Sequence, residues 1–208
     1  LTQMLAGPYC TMLLADQGAD VVKIEPVDGD PTRLFGPFRR DDSQKRFGGY
    51  FQSTNRNKKS LALDLKSADG AALFRTLAAK ADIVVENFRP GTMETWGLGP
   101  QDLFAVSPDL VMERVSGFGQ TGPYSAWNGY DLNAFHLSGA SSRYCGRPGE
   151  MPLEHGTFSA DYFGAITGAA WGLAAVFGRD LVGGGQQVDV SCAEAIAAAF
   201  VGGQNIGL

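Results

Sequence analysis

The sequence predicts an α/β chain built on a Rossmann-like, mostly parallel sheet with helices on both faces. Short apolar, β-branched runs recur along it, at Asp20 to Glu25, Asp82 to Glu86, Leu110 to Val115 and Gln187 to Val190. Longer stretches with helical spacing separate most of these runs, and several of them carry start or stop residues such as Ser67 and Gly18. A helix between successive strands is the crossover that parallel pairing requires.

In chain order, Gly7 to Gln17 reads as a helix, stopped by Gly18. Asp20 to Glu25 is a strand. Residues 26–58 are loop-rich and basic in places, and Ser60 to Leu65 alternates as a strand does. Ser67 caps a helix running to Lys80, and Asp82 to Glu86 is the next strand. Gln101 to Ala105 is a short helix and Leu110 to Val115 a strand. Gly117 to Gly129 is a loop of Gly, Pro, Ser and Thr before a helix at Asp131 to Leu137. A second loop, Gly139 to Gly156, leads to a long helix whose apolar run spans Tyr162 to Gly178. Gly183-Gly184-Gly185 turns into the strand Gln187 to Val190, and a last helix starts after Ser191. In such sheets ligands bind beyond the carboxyl ends of the strands.

Composition narrows the function classes. The 208 residues fit one domain, 44% of them hydrophobic, and 28 glycines point to tight turns and close backbone approaches. A net charge of −5 argues against a nucleic-acid surface. Three widely spaced cysteines form neither a disulfide framework nor a zinc pattern, and with no secretory signal the expected compartment is the cytoplasm. The Tyr162 to Gly178 run falls short of the roughly 20 apolar residues a membrane span needs, so a buried helix is expected and no membrane partner. Gly164, Gly168 and Gly172, four residues apart, would let another backbone approach it closely. The chain opens on Leu1-Thr2-Gln3, without an initiating Met, in what reads as the last residues of a strand. It closes within a helical pattern, so a longer native protein is expected.

One residue carries most of the chemical information. Asp161 stands alone between Gly156-Thr157-Phe158-Ser159-Ala160 and the uncharged run that follows. A carboxylate there is favoured by the free N–H groups and dipole of a first helical turn, so it could be an N-terminal cap. It could equally be an activated carboxylate nucleophile. Other segments favour a nucleotide ligand. Glu86-Asn87-Phe88-Arg89-Pro90-Gly91 ends a strand with an amide, a ring and a guanidinium, a set suited to a base and its phosphates. Asn55-Arg56-Asn57-Lys58-Lys59-Ser60 places three cations before a strand, where they suit a polyphosphate or simply a solvated loop. Ala6-Gly7-Pro8 opens a helix whose N-terminus could meet an anion.

Taken in order, these segments resemble the class III, CaiB/BaiF-type CoA-transferases: formyl-CoA transferase, carnitine CoA-transferase and the related α-methylacyl-CoA racemases. The resemblance rests on Ala6-Gly7-Pro8, Val22-Lys23-Ile24-Glu25-Pro26, Gly29-Asp30-Pro31-Thr32-Arg33 and Asn57-Lys58-Lys59-Ser60-Leu61. It continues through Glu86 to Gly91, Gly117-Phe118-Gly119-Gln120-Thr121-Gly122-Pro123 and Gly185-Gln186-Gln187-Val188-Asp189-Val190. It covers essentially the whole chain.

The resemblance implies that Asp161 is the nucleophile of acyl-CoA:carboxylate CoA transfer, working through an aspartyl anhydride and an aspartyl-CoA thioester. Tyr130 and Asp131 would flank the reacting thioester. CoA would be held by Met4, Leu5 and Ala6 along the pantetheine, by Leu63 on the adenine side, by Asn87, Phe88 and Arg89 near the nucleotide and diphosphate, and by Lys58. The substrates would be acyl-CoA and a carboxylic acid, with no metal and no redox cofactor. The resemblance also implies that residues 1–208 are the N-terminal part of a CoA-binding large domain. A small lid domain and a return segment would lie outside this chain, and two full chains would form an interlocked homodimer. Two departures stand out. Thr95 replaces a basic residue that often follows the Asn-Phe-Arg segment, and Leu5 stands where several members have a glutamine, which puts oxalate as acceptor in doubt.

Racemase relatives carry His-Asp where this chain has Tyr130-Asp131. An ordinary tyrosine titrates near 10 against about 6.5 for histidine, so it is the poorer α-proton shuttle. The pattern thus favours transfer, with an acyl-CoA racemase or a catalytically silent CoA-binding protein as alternatives. His136 is expected to pack or face solvent, and His155 to lie in a loop that could approach Asp161. A nicotinamide-dependent oxidoreductase is disfavoured, since no Gly-x-Gly-x-x-Gly follows a first strand.

Overall fold

The computed structural model describes residues 1–200 other than 146, 148, 152, 154 and 155. The elements run α1 (Ala6–Asp16), β1 (Val21–Glu25), a 3-10 turn (Pro31–Leu34), α2 (Gly49–Asn55), β2 (Lys58–Ala62), α3 (Ala68–Ala78) and β3 (Ile83–Glu86). They continue with α4 (Thr92–Thr95), α5 (Pro100–Val106), β4 (Val111–Ser116), α6 (Asp131–Leu137), α7 (Ala140–Tyr144), α8 (Ser159–Val182), β5 (Gln187–Ser191) and α9 (Cys192–Ala199).

Among the described residues every strand pair is parallel, as expected, but the strands form two sheets, β1-β2 and β3-β4-β5. The opening residues run beside β3 and reach toward β1. The Leu1 amino group donates to Val85 O, Gln3 and Asn87 exchange two hydrogen bonds, and Lys23 Nζ donates to Thr2 O. They bond in this way without being strand, against the expectation of a strand end.

Alternation along the strands sends side chains to opposite faces of the larger sheet. Val84 and Met112 join Phe74, Ala78 and Leu103 of α3 and α5 on one face. Val85, Val115 and Val190 join Cys10 and Leu14 of α1 with Ala165 and Ala169 of α8 on the other. Helices therefore cover both faces. α8 packs against α1, β4, β5, α6 and α9, and its glycine stripe explains how. A Cβ on Gly164 would lie 2.4 Å from Cys192 Sγ, on Gly168 2.2 Å from Glu113 Oε1, and on Gly172 2.3 Å from Glu113 Oε2. Among the described residues no helix is long and apolar enough to cross a membrane.

Three helices are absent from the sequence reading: α2, α4 and α7. α4 and α7 are only four and five residues long, and α2, though seven, opens on Gly48-Gly49 with no side-chain cap to mark its start. β2 also begins and ends earlier than the expected Ser60 to Leu65. Its register against β1 starts at Val21↔Lys58 and ends at Glu25↔Ala62. Leu63 N–H still donates to Glu25 O, so Leu63 lies just past the strand and not on it.

Candidate active site

Asp161 lies in the first turn of α8, and its own side chain does not cap that helix. Its backbone N–H donates to Asp131 Oδ1 at 2.9 Å. The cap comes from α6, and the cap reading of Asp161 is corrected accordingly. Asp131 is buried at 7% exposure, so two carboxyl groups share a poorly hydrated site. Burial pushes the Asp161 carboxyl up, and the Asp131 charge adds to it, bringing it to about 7. A raised pKa of this kind marks a carboxylate that is more basic and less well solvated than usual, as a nucleophile needs to be.

Tyr130 and Asp131 are chain neighbours that part company at the start of α6. Tyr130 precedes the helix as a residue 66% exposed, while its N–H donates to Asn133 Oδ1. Only Asp131 turns inward to α8.

Of the expected CoA residues, Leu63, Asn87, Phe88 and Arg89 follow the carboxyl ends of β2 and β3, and Met4, Leu5 and Ala6 lie at the start of α1. Met4 is exposed and in the left-handed region (φ 63), whereas Leu5 and Ala6 are buried. Asn87 is tied to Gln3 by two hydrogen bonds, which joins the strand end to the approach to α1. Phe88 meets Trp96 edge-on at 5.2 Å, and with Leu63 both rings border one apolar cluster. Arg89 is exposed.

Lys58 is placed differently from a phosphate contact. Its Nζ donates to Pro8 O (2.7 Å), Thr54 O (2.7 Å) and Asn55 Oδ1 (3.0 Å), which uses all three ammonium protons. Burial, and next the nearby Lys23 charge, lower its pKa to about 7. The other cations of that run are also engaged, Arg56 with Asp16 and Lys59 with Asp20. Lys58 and Arg56 thus tie α2 and the residue after it to α1, while Lys59 stays exposed in its pair with Asp20.

Sequence reasoning missed the aromatic wall around Asp161. The Tyr50 ring of α2 meets Phe158 edge-on at 6.4 Å, three residues before Asp161, and Phe35 at 6.1 Å. Tyr162 meets Tyr9 of α1 at 4.8 Å. Burial first, and the Asp161 carboxylate second, push the Tyr50 phenol up to about 12. A tyrosine after two glycines, Gly48-Gly49-Tyr50, was the available signal. His155 lies outside the described residues, and His136 packs edge-on against Phe135. Two clefts of about 500 and 430 Å³ occur elsewhere, one against Trp171 and β5 and one against Phe118 and Ser138. Among the described residues no group of three His, Cys, Asp or Glu side chains could hold a metal ion.

A sequence model described as CoA-transferase family III matches residues 1–204. The chain is 46% identical over 195 residues to the succinyl-CoA–L-malate CoA-transferase alpha subunit of Chloroflexus aurantiacus, covering 92% of this chain and 44% of that one. It is 45% identical to the succinyl-CoA:mesaconate CoA-transferase of Haloarcula hispanica, covering 92% of this chain and 49% of that protein. A solved CAIB/BAIF family protein from Brucella suis superposes with a TM-score of 0.90 at 35% identity, over 97% of this chain and 53% of its own. The chain thus spans about half the length of the curated relatives it matches.

Proposed function

The chain belongs to CoA-transferase family III, and from that premise we propose that it carries the nucleophile and much of the CoA site of an acyl-CoA:carboxylate CoA-transferase. The observation that carries the reading is Asp161: a carboxyl raised to about 7 in the first turn of α8, near Cys192, which follows the carboxyl end of the parallel strand β5. An Asp161 oxygen adds to the thioester carbon, the C–S bond breaks, and CoA thiolate leaves an acyl–aspartyl anhydride. The thiolate then attacks the aspartyl carbonyl, giving an aspartyl-CoA thioester and releasing the donor acid as its carboxylate. An acceptor carboxylate attacks that thioester and the steps run in reverse. Covalent catalysis divides one difficult exchange into manageable ones.

Asp131 holds the Asp161 backbone in place, and Asn87, Phe88, Leu63 and the Met4-Leu5-Ala6 entry to α1 receive CoA, with Arg89 meeting its phosphates. The named activities of the relatives, on succinyl-CoA with malate or mesaconate, support a dicarboxylic substrate class. A homodimeric assembly in the cytoplasm completes the reading, and three unpaired cysteines suit a reducing compartment.

The test is direct. The intact protein is incubated with a panel of acyl-CoA donors, quenched with hydroxylamine, and digested for mass spectrometry. A mass change on Asp161, absent from Asp161→Asn, supports covalent transfer and identifies the donor. No adduct, with deuterium uptake at the acyl α-carbon, would replace this reading with a racemase.

A further inference from the structure

We propose that Tyr50 is a second functional side chain at the Asp161 centre, a neutral phenol that donates a hydrogen bond to the acyl oxygen on the carbon under attack. The proposal rests on the transferase reading.

Three observations carry it. Tyr50 is half-buried on α2, and its ring is held edge-on by Phe158, the residue that precedes α8, and by Phe35. Of the carboxylates around its phenol, Asp161 weighs most, followed by Asp30 and Asp131. Negative neighbours and burial keep the hydroxyl protonated, so at working pH it is a donor and not a base.

The third observation is the frame behind it. Arg33 forms two hydrogen bonds to the buried Glu25 carboxylate, at 2.8 and 2.6 Å, and its guanidinium lies 3.8 Å from the centroid of the Phe51 ring, next to Tyr50. Gly48 N–H donates to Arg33 O and Gly49 N–H to Pro37 O, each at 2.8 Å. A Cβ on Gly48 would fall 2.0 Å from Phe35 O, so the turn that delivers Tyr50 is set by backbone against backbone. Asp30 accepts from Lys23 Nζ, Thr32 N–H and Thr32 Oγ1, and its own N–H donates to Glu25 Oε2. The segments Lys23-Ile24-Glu25 and Gly29 to Arg33, which CoA contacts leave unused, thus serve to aim α2 at Asp161.

The chemistry balances without a proton transfer. As an Asp161 oxygen bonds to the thioester carbon, the carbonyl π electrons move onto its oxygen, which accepts the Tyr50 O–H hydrogen bond. Collapse of that oxyanion breaks the C–S bond and releases thiolate, and the phenol retains its proton. A preorganised donor at this position favours the tetrahedral species over the flat thioester.

The experiment is rapid-quench mixing of the intact protein with succinyl-CoA, with the Asp161 adduct trapped by hydroxylamine and counted by mass spectrometry. Tyr50→Phe keeps the ring and removes only the hydroxyl. The expected result is a limiting rate of adduct formation lowered about 100-fold, with half-saturation by succinyl-CoA little changed. An unchanged limiting rate, with or without weaker half-saturation, would overturn the role of Tyr50 while leaving covalent transfer intact. Absence of any Asp161 adduct in the unsubstituted protein would instead overturn the transferase reading, and this proposal with it.

Discussion

Glu25 and Glu113 each sit on a parallel strand, one in each sheet, and both are buried, at 3% and 0% exposure. The two surroundings treat a carboxyl in opposite ways. Around Glu25 the protein replaces water: Arg33 grips both oxygens, Ser60 Oγ donates at 2.6 Å and Asp30 N–H at 2.9 Å. Burial alone would raise that carboxyl, but these donors and the Arg33 charge outweigh it and hold it at about 2. Around Glu113 the protein supplies room and little else. Cys10 Sγ donates at 3.2 Å, Oε2 has no hydrogen-bond partner among the described residues, and Gly168 and Gly172 leave the space its oxygens fill. Burial pushes Glu113 up to about 7, against a smaller opposing effect of the Cys10 hydrogen bond. A buried carboxyl can therefore be kept as a solvated anion by donors or as a near-neutral acid by space. The first solution builds a rigid charged frame, and the second a close helix–sheet seam.

Breaking the frame has the largest expected effect. Arg33→Leu strands the Glu25 charge and should cost about 3 kcal/mol in urea unfolding, at the low end for a broken buried pair because Ser60 and Asp30 remain. The Glu25 contribution has a clear sign with pH: its folded value lies below the ordinary 4.5, so the stability it adds is present above 4.5 and is lost as pH falls toward about 2. An Arg33→Leu variant whose acid unfolding is as steep as that of the parent would contradict this.

Crowding the seam comes next. Gly168→Ala places a methyl against Glu113 Oε1 and should destabilise by about 1–3 kcal/mol. Combined with Glu113→Ala, which empties the space, it should cost less than the two changes summed, and strict additivity in the double-mutant cycle would refute the contact.

Neutralising Glu113 sharpens the contrast at smaller scale. Its folded value lies above the ordinary 4.5, so between 4.5 and about 7 the folded chain holds a proton that the unfolded chain releases. Stability contributed by this group therefore falls as pH rises through that window. Glu113→Gln should remove this fall, visible as a flatter Tm between pH 5 and 8, and identical slopes would count against a protonated Glu113. The smallest effect concerns Asp161, whose carboxyl Asp131 helps to raise. Asp131→Asn keeps an oxygen for the Asp161 N–H but removes the charge, so the acidic limb of the kcat/KM profile should move to lower pH. An unmoved limb would assign the raised value to burial alone.

The parts of the fold that could be read from sequence are those with period or punctuation. Ser67 does cap α3, accepting from Gly70 N–H at 3.0 Å, and Gly18 does follow α1. The isolated Asp161 does open α8, because one charge before a long uncharged run marks a helix start. The features missed depend on partners remote in sequence. Lys58, Lys59 and Arg56 look alike as a basic run, yet the acids that engage Arg56 and Lys59 come from the end of α1 and the turn after it. Tyr50 sits in a helix that two glycines open with no side-chain cap, and its meaning comes from Phe158, more than a hundred residues on. Glu113 sits beside Arg114 within an otherwise mostly apolar strand, and the packed glycines of α8 explain how it is tolerated.

The three hydrogen bonds of Lys58 bear on the reagents this protein is proposed to handle. Thioesters acylate free amines without any enzyme, and fastest those amines that are unprotonated near neutral pH. An amine lowered to about 7 loses its proton more readily than an ordinary lysine, and so is more open to acylation if it is not held. Donating to Pro8 O, Thr54 O and Asn55 Oδ1, the nitrogen is held as the ammonium, which has no lone pair to offer a thioester. Acylation of Lys58 would thus require α2 to part from α1, since those two helices supply the three acceptors.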